Sequence, residues 1–305
     1  ACAIEIARAY IADVSGRGIE PDAFVGRFSF NFNVFGNLWE QIAKFRAARK
    51  LWAKMLKEDY GVQDKKKLFL RGLFGGGGSG LTKAQPENNI MRSAFYALGA
   101  ALSGAQTTAL CSFDEAYTIP TPRAALLSLR TLEILMEEVG LRDTVDPLAG
   151  SYFIETLTCQ MEEKILKEMK AVQDAGGMVN AVSKGYIQRK VARQAYEYEK
   201  GLQEGEYIKV GFNKYVDEGD DQPDVDLHQY NDAWADEQVT RLNSLRRERD
   251  GKAVKTALKA LEQAARQKEN VMPPLVACCR AYATVGEMAG VFRDVFGEWR
   301  EPQLF

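Results

Sequence analysis

A run of glycines is the segment best suited by its residue types to hold a ligand. Residues 71–82 read Arg-Gly-Leu-Phe-Gly-Gly-Gly-Gly-Ser-Gly-Leu-Thr. The part of interest is Gly75, Gly76, Gly77, Gly78 and Ser79. Consecutive glycines free the main chain for left-handed angles and let a ligand approach backbone N–H groups closely. The run matches neither the phosphate-loop nor the dinucleotide motif, and a flexible linker has the same composition. The residue types therefore leave a ligand-binding loop and a linker as equal alternatives.

Two adjacent carboxylates, Asp114 and Glu115, follow the predicted strand 107–113. At the carboxyl end of a strand they could hold the hydroxyl groups of a ligand or act as acid and base. The alternative is that Asp114 caps the next turn while Glu115 faces solvent, and we favour it because capping carboxylates are common. Cys111 has no neighbouring His or Lys in sequence that would activate it, so we expect a structural thiol.

Two arginines lie beside predicted strands. Arg27 precedes the strand predicted over residues 28–32, and Arg71 lies at the end of the next, over 67–73. An anionic ligand, either a phosphate or a carboxylate, would explain both cations. A salt bridge across the strand ends would explain them equally well, so both alternatives remain open.

Alternating helices and short apolar strands must position these groups. Period-two alternation predicts a strand over residues 28–32, and short apolar runs predict strands over 67–73 and 107–113. Amphipathic patterns predict helices over residues 4–15, 38–60, 88–102 and 122–139. Because helices separate consecutive strands, the strands should run parallel in one sheet. Residues 1–150 therefore form an α/β region that looks like part of a larger ring of strand–helix units.

Residues 151–305 have a different texture. Charged helices are predicted over residues 154–175, 181–201, 232–265 and 274–296. This second part shows no internal repeat and is typical of a connector or an interaction surface.

The composition excludes several classes of protein. The 305 residues include 40 Lys and Arg against 42 Asp and Glu, a balance that argues against nucleic-acid binding. The single histidine, His228, excludes a His-rich zinc site within this chain. Five cysteines without a CxxC pair indicate buried, reduced thiols. The uncharged stretch 93–113 is better explained as a buried helix–strand pair than as a membrane span. No signal peptide opens the chain, so we expect a cytoplasmic protein.

Several motifs, in order, resemble the adenosylcobalamin-dependent methylmalonyl-CoA mutase family. They include Arg-Phe-Ser-Phe at 27–30, Pro-Glu-Asn-Asn-Ile at 86–90, Ser-Phe-Asp-Glu-Ala at 112–116, Asp-Pro-Leu-Ala-Gly-Ser-Tyr at 146–152 and Thr-Val-Gly-Glu at 284–287. The resemblance covers essentially the whole chain. It implies part of a (β/α)8 TIM barrel, about strands six to eight, over residues 1–150. Residues 151–305 would be a helical post-barrel region and linker toward a cobalamin domain.

The resemblance also implies roles for individual residues. In this family acyl-CoA lies along the barrel axis and the corrin sits on the carboxyl-terminal face, where adenosylcobalamin starts a radical 1,2-rearrangement. The implied acyl-CoA residues are Arg27, Ser29, Arg71 and Thr107. Glu115 matches the glutamate that holds the ribose of the adenosyl group. The implied cofactor residues otherwise are Gly75, Gly76, Gly77, Gly78, Ser79 and Cys111.

Several residues depart from the family pattern, and these departures change which acyl group the resemblance implies. Leu73, Gly75 and Ser79 stand where the family usually has His, Gln and Trp, and Ala-Leu-Cys at 109–111 replaces His-Thr-Asn. These changes imply a roomier, more apolar cavity for an acyl group other than methylmalonyl, or a chain that has lost catalysis.

The cobalt-ligand motif of the family is missing from this sequence, because His228 is followed by Gln-Tyr-Asn. The resemblance therefore implies a mutase segment or subunit, expected to be oligomeric. Its partner would supply strands one to five and the cobalamin domain, including the cobalt ligand. The alternative is a non-catalytic structural partner of an active mutase.

Overall fold

The computed structural model describes residues 1–217 and 225–302, which divide into two compact units. The first unit comprises Ala1–His228 with Pro302, and the second comprises Gln229–Glu301. The helices of the first unit are α1 Cys2–Gly16, α2 Pro21–Phe24, α3 Leu38–Glu58, α4 Asn88–Leu102, α5 Pro122–Glu137, α6 Tyr152–Asp174, α7 Gly177–Ser183 and α8 Tyr186–Gln203. Its strands are β1 Phe30–Val34 and β2 Gly72–Gly76, and its 3₁₀ turns are Val25–Arg27, Lys65–Lys67 and Gly78–Gly80. The second unit contains α9 Asp232–Glu248, α10 Gly251–Gln267, α11 Met272–Arg280 and α12 Val285–Phe296.

A small parallel sheet forms the centre of the first unit. β1 pairs with β2, so that Phe30 lies opposite Gly72 and Val34 opposite Gly76. Residues 107–110 extend the sheet beyond β2 through parallel bridges from Leu73 to Thr107 and from Gly76 to Leu110. The backbone N–H groups of Phe74 and Gly76 donate to the carbonyls of Thr107 and Ala109, each at 3.0 Å. The α/β class and the parallel direction of the strands are thus confirmed.

The second and third strands differ from their predicted bounds. The strand predicted over 67–73 begins only at Gly72, because Lys65–Lys67 close a 3₁₀ turn, and it continues into the glycine run. The third strand, predicted over 107–113, makes only isolated bridges. The uncharged stretch 93–113 holds the end of α4 and this third segment, as expected for a helix–strand pair. Among the described residues, no helix has the length and apolar character needed to cross a bilayer.

An aromatic cluster joins α3 to one face of the sheet. The Phe45 ring meets Phe74 edge-on with centroids 4.4 Å apart, and Trp52 meets Phe30 edge-on at 5.1 Å. Phe32 packs on Phe45 at 5.4 Å. The alternation of β1 sends its aromatic side chains toward α3, so its other residues occupy the opposite face. The cluster therefore fixes which face of the sheet remains open.

The first unit also includes helices beyond the predicted α/β region. α6 begins at Tyr152 and packs against α3 and α1. The boundary expected near residue 150 consequently falls inside a compact unit. The division into a barrel part and a post-barrel part stays a prediction.

Three predicted helices each divide into two shorter ones, namely 181–201, 232–265 and 274–296. Gly185 breaks the first with a left-handed φ of 69°. The second divides at Asp250, whose side chain accepts from two N–H groups and caps the new helix α10. Tyr282, also left-handed, separates α11 from α12. These are local backbone events that an apolar period alone does not reveal.

All five cysteines are free thiols, and only Cys278 is buried. Cys111 is half-buried, whereas Cys2, Cys159 and Cys279 are exposed. The expectation of buried thiols was therefore wrong for those three, which lie on the outer faces of α1, α6 and α11.

Candidate functional site

The glycine run is a strand end and a tight turn, not a linker. Among Gly75–Gly78 none has a positive φ, so the expected left-handed backbone is wrong. These glycines are required by lack of space instead. A Cβ on Gly75 would lie 3.1 Å from the Ala109 carbonyl oxygen, and one on Gly77 would lie 2.8 Å from Asn33 Cγ. The packing excludes the flexible-linker alternative and presents the main chain at the carboxyl end of β2.

The sheet face opposite α3 is left open by the described residues. Asn31, Asn33, Thr107 and Ala109 on this face are all exposed. The strand register sets these side chains in layers, as on the inner face of a parallel barrel. The positions of the predicted substrate residues are therefore described relative to this open face.

The four predicted acyl-CoA residues lie at the amino-terminal ends of the strands. Ser29 and Arg71 immediately precede β1 and β2, and Thr107 begins the third segment. Arg27 ends the 3₁₀ turn before β1. All four are exposed. Their common location places a hydroxyl-rich and cationic rim at one end of the open face.

Neither Arg27 nor Arg71 forms an ion pair with any residue in the described ranges. Other arginines of the first unit do form ion pairs, as where Arg8 meets Asp59 at 2.7 Å. The salt-bridge alternative for the two arginines is thus excluded within those ranges. Two solvated guanidinium groups remain available to an anionic ligand.

The predicted cofactor residues lie at the opposite end. Gly75 to Ser79 finish β2 and form the following turn, and Cys111 and Glu115 come just after the third segment. With a rise of about 3.3 Å per residue, Arg71 and Gly75 are separated by about 13 Å along β2. The predicted acyl-CoA residues therefore cluster at one end of the strands. The predicted cofactor residues cluster at the other end.

The adjacent carboxylates have different surroundings. Asp114 is fully buried, and its Oδ2 accepts from the backbone N–H and the hydroxyl of Thr121, at 3.0 and 3.1 Å, where α5 begins. It has the structural role that we favoured. Glu115 is exposed and lies over the glycine turn, because a Cβ on Gly78 would lie 3.1 Å from Glu115 Cγ. Burial, with Glu115 nearby, raises the pKa of the Cys111 thiol, which keeps it protonated and unreactive.

A cleft of about 790 Å³ adjoins Ser79 at this carboxyl end. Ala116, Tyr117, Tyr198 and Phe212 are among its lining residues. Its size lies within the range of small-molecule sites. An aromatic wall next to a main-chain turn suits a large, flat ligand better than a small ion.

The far wall of this cleft comes from a loop after α8. Asn213 holds that loop closed, since its Nδ2 donates to the carbonyls of Leu202 and Tyr207 at 2.8 and 2.7 Å. Arg92 of α4 links the loop to the sheet side by donating to the Val210 carbonyl at 2.5 Å and to Thr82 Oγ1 at 2.8 Å.

Sequence reasoning missed this wall as a site. The available signal was the motif Val-Gly-Phe-Asn-Lys-Tyr at 210–215, whose Asn and Gly indicate a tight turn.

His228 is exposed, and its backbone N–H donates to Thr118 Oγ1 at 3.0 Å. Across residues 1–217 and 225–302, no cluster of three His, Cys, Asp or Glu side chains is placed to hold a metal ion.

The comparison with known proteins identifies the family of the chain. The family model described as methylmalonyl-CoA mutase matches residues 1–298. A 2-hydroxyisobutanoyl-CoA mutase large subunit from Aquincola tertiaricarbonis is 34% identical over 97% of this chain and 53% of its own length. Methylmalonyl-CoA mutase from Rhizobium meliloti is 38% identical and that from Escherichia coli 36%, each over 96% of this chain and 41% of the relative. The chain thus spans about half the length, or less, of these relatives. Because the family match covers nearly every residue, the chain belongs to the methylmalonyl-CoA mutase family.

Proposed function

We propose that this chain is a segment or subunit of an adenosylcobalamin-dependent acyl-CoA mutase, an isomerase that rearranges the carbon skeleton of an acyl-CoA. The observation that carries the proposal is the separation of two site ends on one open sheet face. Cationic and hydroxyl groups lie at the amino-terminal ends of the strands, and the glycine turn with Glu115 lies at the carboxyl-terminal ends. A long substrate lying along the strands would reach both.

The open sheet supports a split barrel as the architecture. Three parallel segments with helices on one face would be strands six to eight of a (β/α)8 barrel, over residues 1–150. Exposed strand edges and an uncovered face need a partner. We propose that other polypeptide supplies strands one to five and the cobalamin-binding domain with its cobalt ligand. Residues 151–305 would be the helical post-barrel region and linker.

The residues at the amino-terminal end would bind the CoA portion. Arg27 and Arg71 would pair with phosphate oxygens, which guanidinium groups bind in a bidentate manner. Ser29 and Thr107 would donate hydrogen bonds to the same ligand. None of these groups moves a proton in the reaction, so their role is to bind and orient.

The residues at the carboxyl-terminal end fit an adenosylated corrin. The exposed Glu115 carboxylate can accept from the two hydroxyls of a ribose. The tightly packed main chain of Gly75–Gly78 leads into Ser79, and the aromatic cleft next to Ser79 suits a flat macrocycle. When bound, adenosylcobalamin supplies the radical chemistry. The chain's own residues would hold the cofactor and orient its adenosyl group.

The acyl group is proposed to differ from methylmalonyl. Leu73, Gly75 and Ala109 offer little polar surface on the open face, which favours a bulkier or less charged acyl group. The relative from Aquincola tertiaricarbonis, named for 2-hydroxyisobutanoyl-CoA, is consistent with that choice. The assembled enzyme is proposed to be cytoplasmic.

The same three residues favour a second candidate, a non-catalytic subunit that retains the fold and docks an active mutase. Purification of the tagged chain from its native source, followed by an absorption spectrum of the complex, tests the first proposal. We expect a bound corrin in stoichiometric amount. A stable complex that contains mutase-like subunits and a corrin elsewhere, but keeps full activity without this chain, would support the second candidate instead.

A further inference from the structure

Strand β1 carries asparagine at two successive positions of the open face. Its sequence is Phe-Asn-Phe-Asn-Val, and Asn31 and Asn33 are both exposed between residues that face α3. Asparagine is depleted in strands because its amide competes with the backbone for hydrogen bonds. Two asparagines on one strand face therefore require an explanation, and the binding roles proposed above use neither.

The register places each asparagine in a distinct layer across the sheet. Asn31 lies opposite Leu73, which bridges to Thr107. Asn33 lies opposite Gly75, whose neighbour across the sheet is Ala109. Of the three residues in that second layer, only Asn33 has a polar side chain. Any ligand group that enters the space over Gly75 meets one amide.

The Asn33 amide is held in place by its surroundings. A Cβ on Gly77 would lie 2.8 Å from Asn33 Cγ and 3.0 Å from Nδ2, so the amide rests directly on the glycine turn. The backbone carbonyl oxygen of Asn33 accepts from Lys44 Nζ at 3.3 Å, which anchors the strand at this residue. Within the described residues the side-chain amide has no hydrogen-bond partner, so both its donor and its acceptor are available.

Within residues 1–217 and 225–302, no cation is placed to pair with a carboxylate in this layer. Arg71, at the amino-terminal end of the open face, lies about 13 Å away along β2. Lys44 belongs to α3, which packs on the other face, and its ammonium group is already held by Asn33 and Gln41. A buried carboxylate without a charged partner is costly, whereas a hydroxyl is satisfied by an amide that can both donate and accept.

We propose that Asn33, with Asn31 in the adjacent layer, selects an acyl-CoA whose acyl group carries a neutral hydrogen-bonding substituent, such as a hydroxyl, over one that carries a carboxylate. This inference rests on the proposed function and names the substrate class of the same site. Asn33 acts as a specificity-determining residue: it binds the substituent and takes no part in proton transfer.

The test uses the complex purified with the full chain and three acyl-CoAs of one branched skeleton. Isobutanoyl-CoA has no polar substituent, 2-hydroxyisobutanoyl-CoA has a hydroxyl, and methylmalonyl-CoA has a carboxylate. Titration calorimetry measures the Kd of each. We expect the hydroxyl compound to bind most tightly. Asn33→Ala should weaken its binding by about tenfold and change isobutanoyl-CoA by less than about twofold, as expected for loss of one neutral hydrogen bond.

Two further variants keep the test independent of folding defects. Asn33→Asp has the same shape and still accepts from a hydroxyl, so it should retain hydroxyl binding and weaken methylmalonyl-CoA binding further. Gly77→Ala should displace the amide and reproduce the Asn33→Ala pattern. Asn243→Ala, an exposed asparagine of α9, is the matched control and should change no Kd.

The outcomes separate the inference from the function on which it rests. Tightest binding of methylmalonyl-CoA, or an Asn33→Ala variant with unchanged preference, overturns the inference alone. A complex that carries no corrin contradicts the proposed function, and the inference is overturned with it.

Discussion

The side chain of Glu115 lies on Gly78, so close that a Cβ on the glycine would be 3.1 Å from Glu115 Cγ and 3.5 Å from Oε1. The contact joins the segment after the third strand to the turn after β2. Because Gly78 has no side chain, the Glu115 carboxylate can occupy the carboxyl-terminal end of the sheet. The glycine therefore fixes the position of the residue proposed to hold the ribose.

This contact predicts that Gly78→Ala weakens cofactor binding without unfolding the protein. The added methyl group should push the flexible Glu115 side chain away from its position. We expect about a tenfold higher Kd for adenosylcobalamin in the purified complex, and Glu115→Gln should give a loss of at least that size, since hydrogen bonds to charged groups are the stronger ones. Fluorescence or absorbance titration measures it. Gly16→Ala, where a Cβ meets nothing within 4 Å, is the control. An unchanged Kd in both site variants would remove Glu115 from the cofactor site.

Arg71→Ala should raise KM for the acyl-CoA by about tenfold or more while kcat stays within about twofold. An arginine that binds a remote phosphate stabilises ground state and transition state alike, so its loss appears in KM. Steady-state kinetics of the complex measure both parameters. Arg193→Ala removes an exposed charge from α8, where Arg193 pairs with Glu197 along the helix, and should change neither parameter. A fall in kcat with unchanged KM would contradict the binding role of Arg71.

Acid should destabilise the second unit through one ion pair. Arg249 donates to both carboxylate oxygens of Glu287, with Nη1 at 2.7 Å from Oε2, and this pairing lowers the pKa of Glu287 to about 2. The pKa of an unpaired glutamate is about 4.3. The folded state thus binds fewer protons than the unfolded state between these values, so the stabilisation is fully present above about pH 4.5 and is lost as the pH falls toward 2.

Thermal unfolding of the full chain between pH 6 and pH 2.5 measures this effect. Glu287→Gln should lower the Tm of the second unit at pH 6 and flatten its decline toward acid. Glu237→Gln, whose carboxylate is exposed and 4.0 Å from Arg241, should leave the profile unchanged. Parallel pH profiles for the wild type and Glu287→Gln would show that the pair contributes nothing.

The aromatic cluster behind the sheet should control the stability of the first unit. Phe45 is 1% exposed and contacts both Phe32 and Phe74. Phe45→Ala should lower the free energy of unfolding by about 3–5 kcal/mol, because a large cavity replaces the ring. Phe69→Ala, at a ring that is 61% exposed, should cost less than about 1 kcal/mol. Urea denaturation followed by tryptophan fluorescence measures both. Equal losses would mean that α3 does not hold the sheet through this cluster.

The amphipathic helices within residues 1–175 were the most predictable elements. α4 has the bounds expected from its apolar pattern, and the Phe-Asn alternation located β1 to within two residues. β2 was misplaced because its glycines suggested a loop. They belong to the strand for a reason that lies outside the segment, since a Cβ on Gly72 would be 2.7 Å from the Phe30 carbonyl oxygen. Such a close approach between segments 42 positions apart leaves no periodic signal.

The candidate site was predictable in its parts and not in its arrangement. Arg71 and Glu115 could be singled out because they lie beside predicted strands. Their assignment to opposite ends of one face depends on the parallel register, and the cleft beside Ser79 depends on a loop more than one hundred residues later. Asn33 became a candidate only when its position opposite Gly75 was known.

The most direct test of the proposed activity is the rearrangement itself, followed by NMR of a carbon-labelled acyl-CoA with the complex purified through this chain. The measurement is made with and without added adenosylcobalamin, on 2-hydroxyisobutanoyl-CoA, isobutanoyl-CoA and methylmalonyl-CoA. We predict that the label moves within the acyl skeleton only when adenosylcobalamin is present, and fastest for the hydroxylated compound. A complex that contains this chain and bound corrin, yet moves the label in none of the three, would contradict the assignment of this chain to a working acyl-CoA mutase.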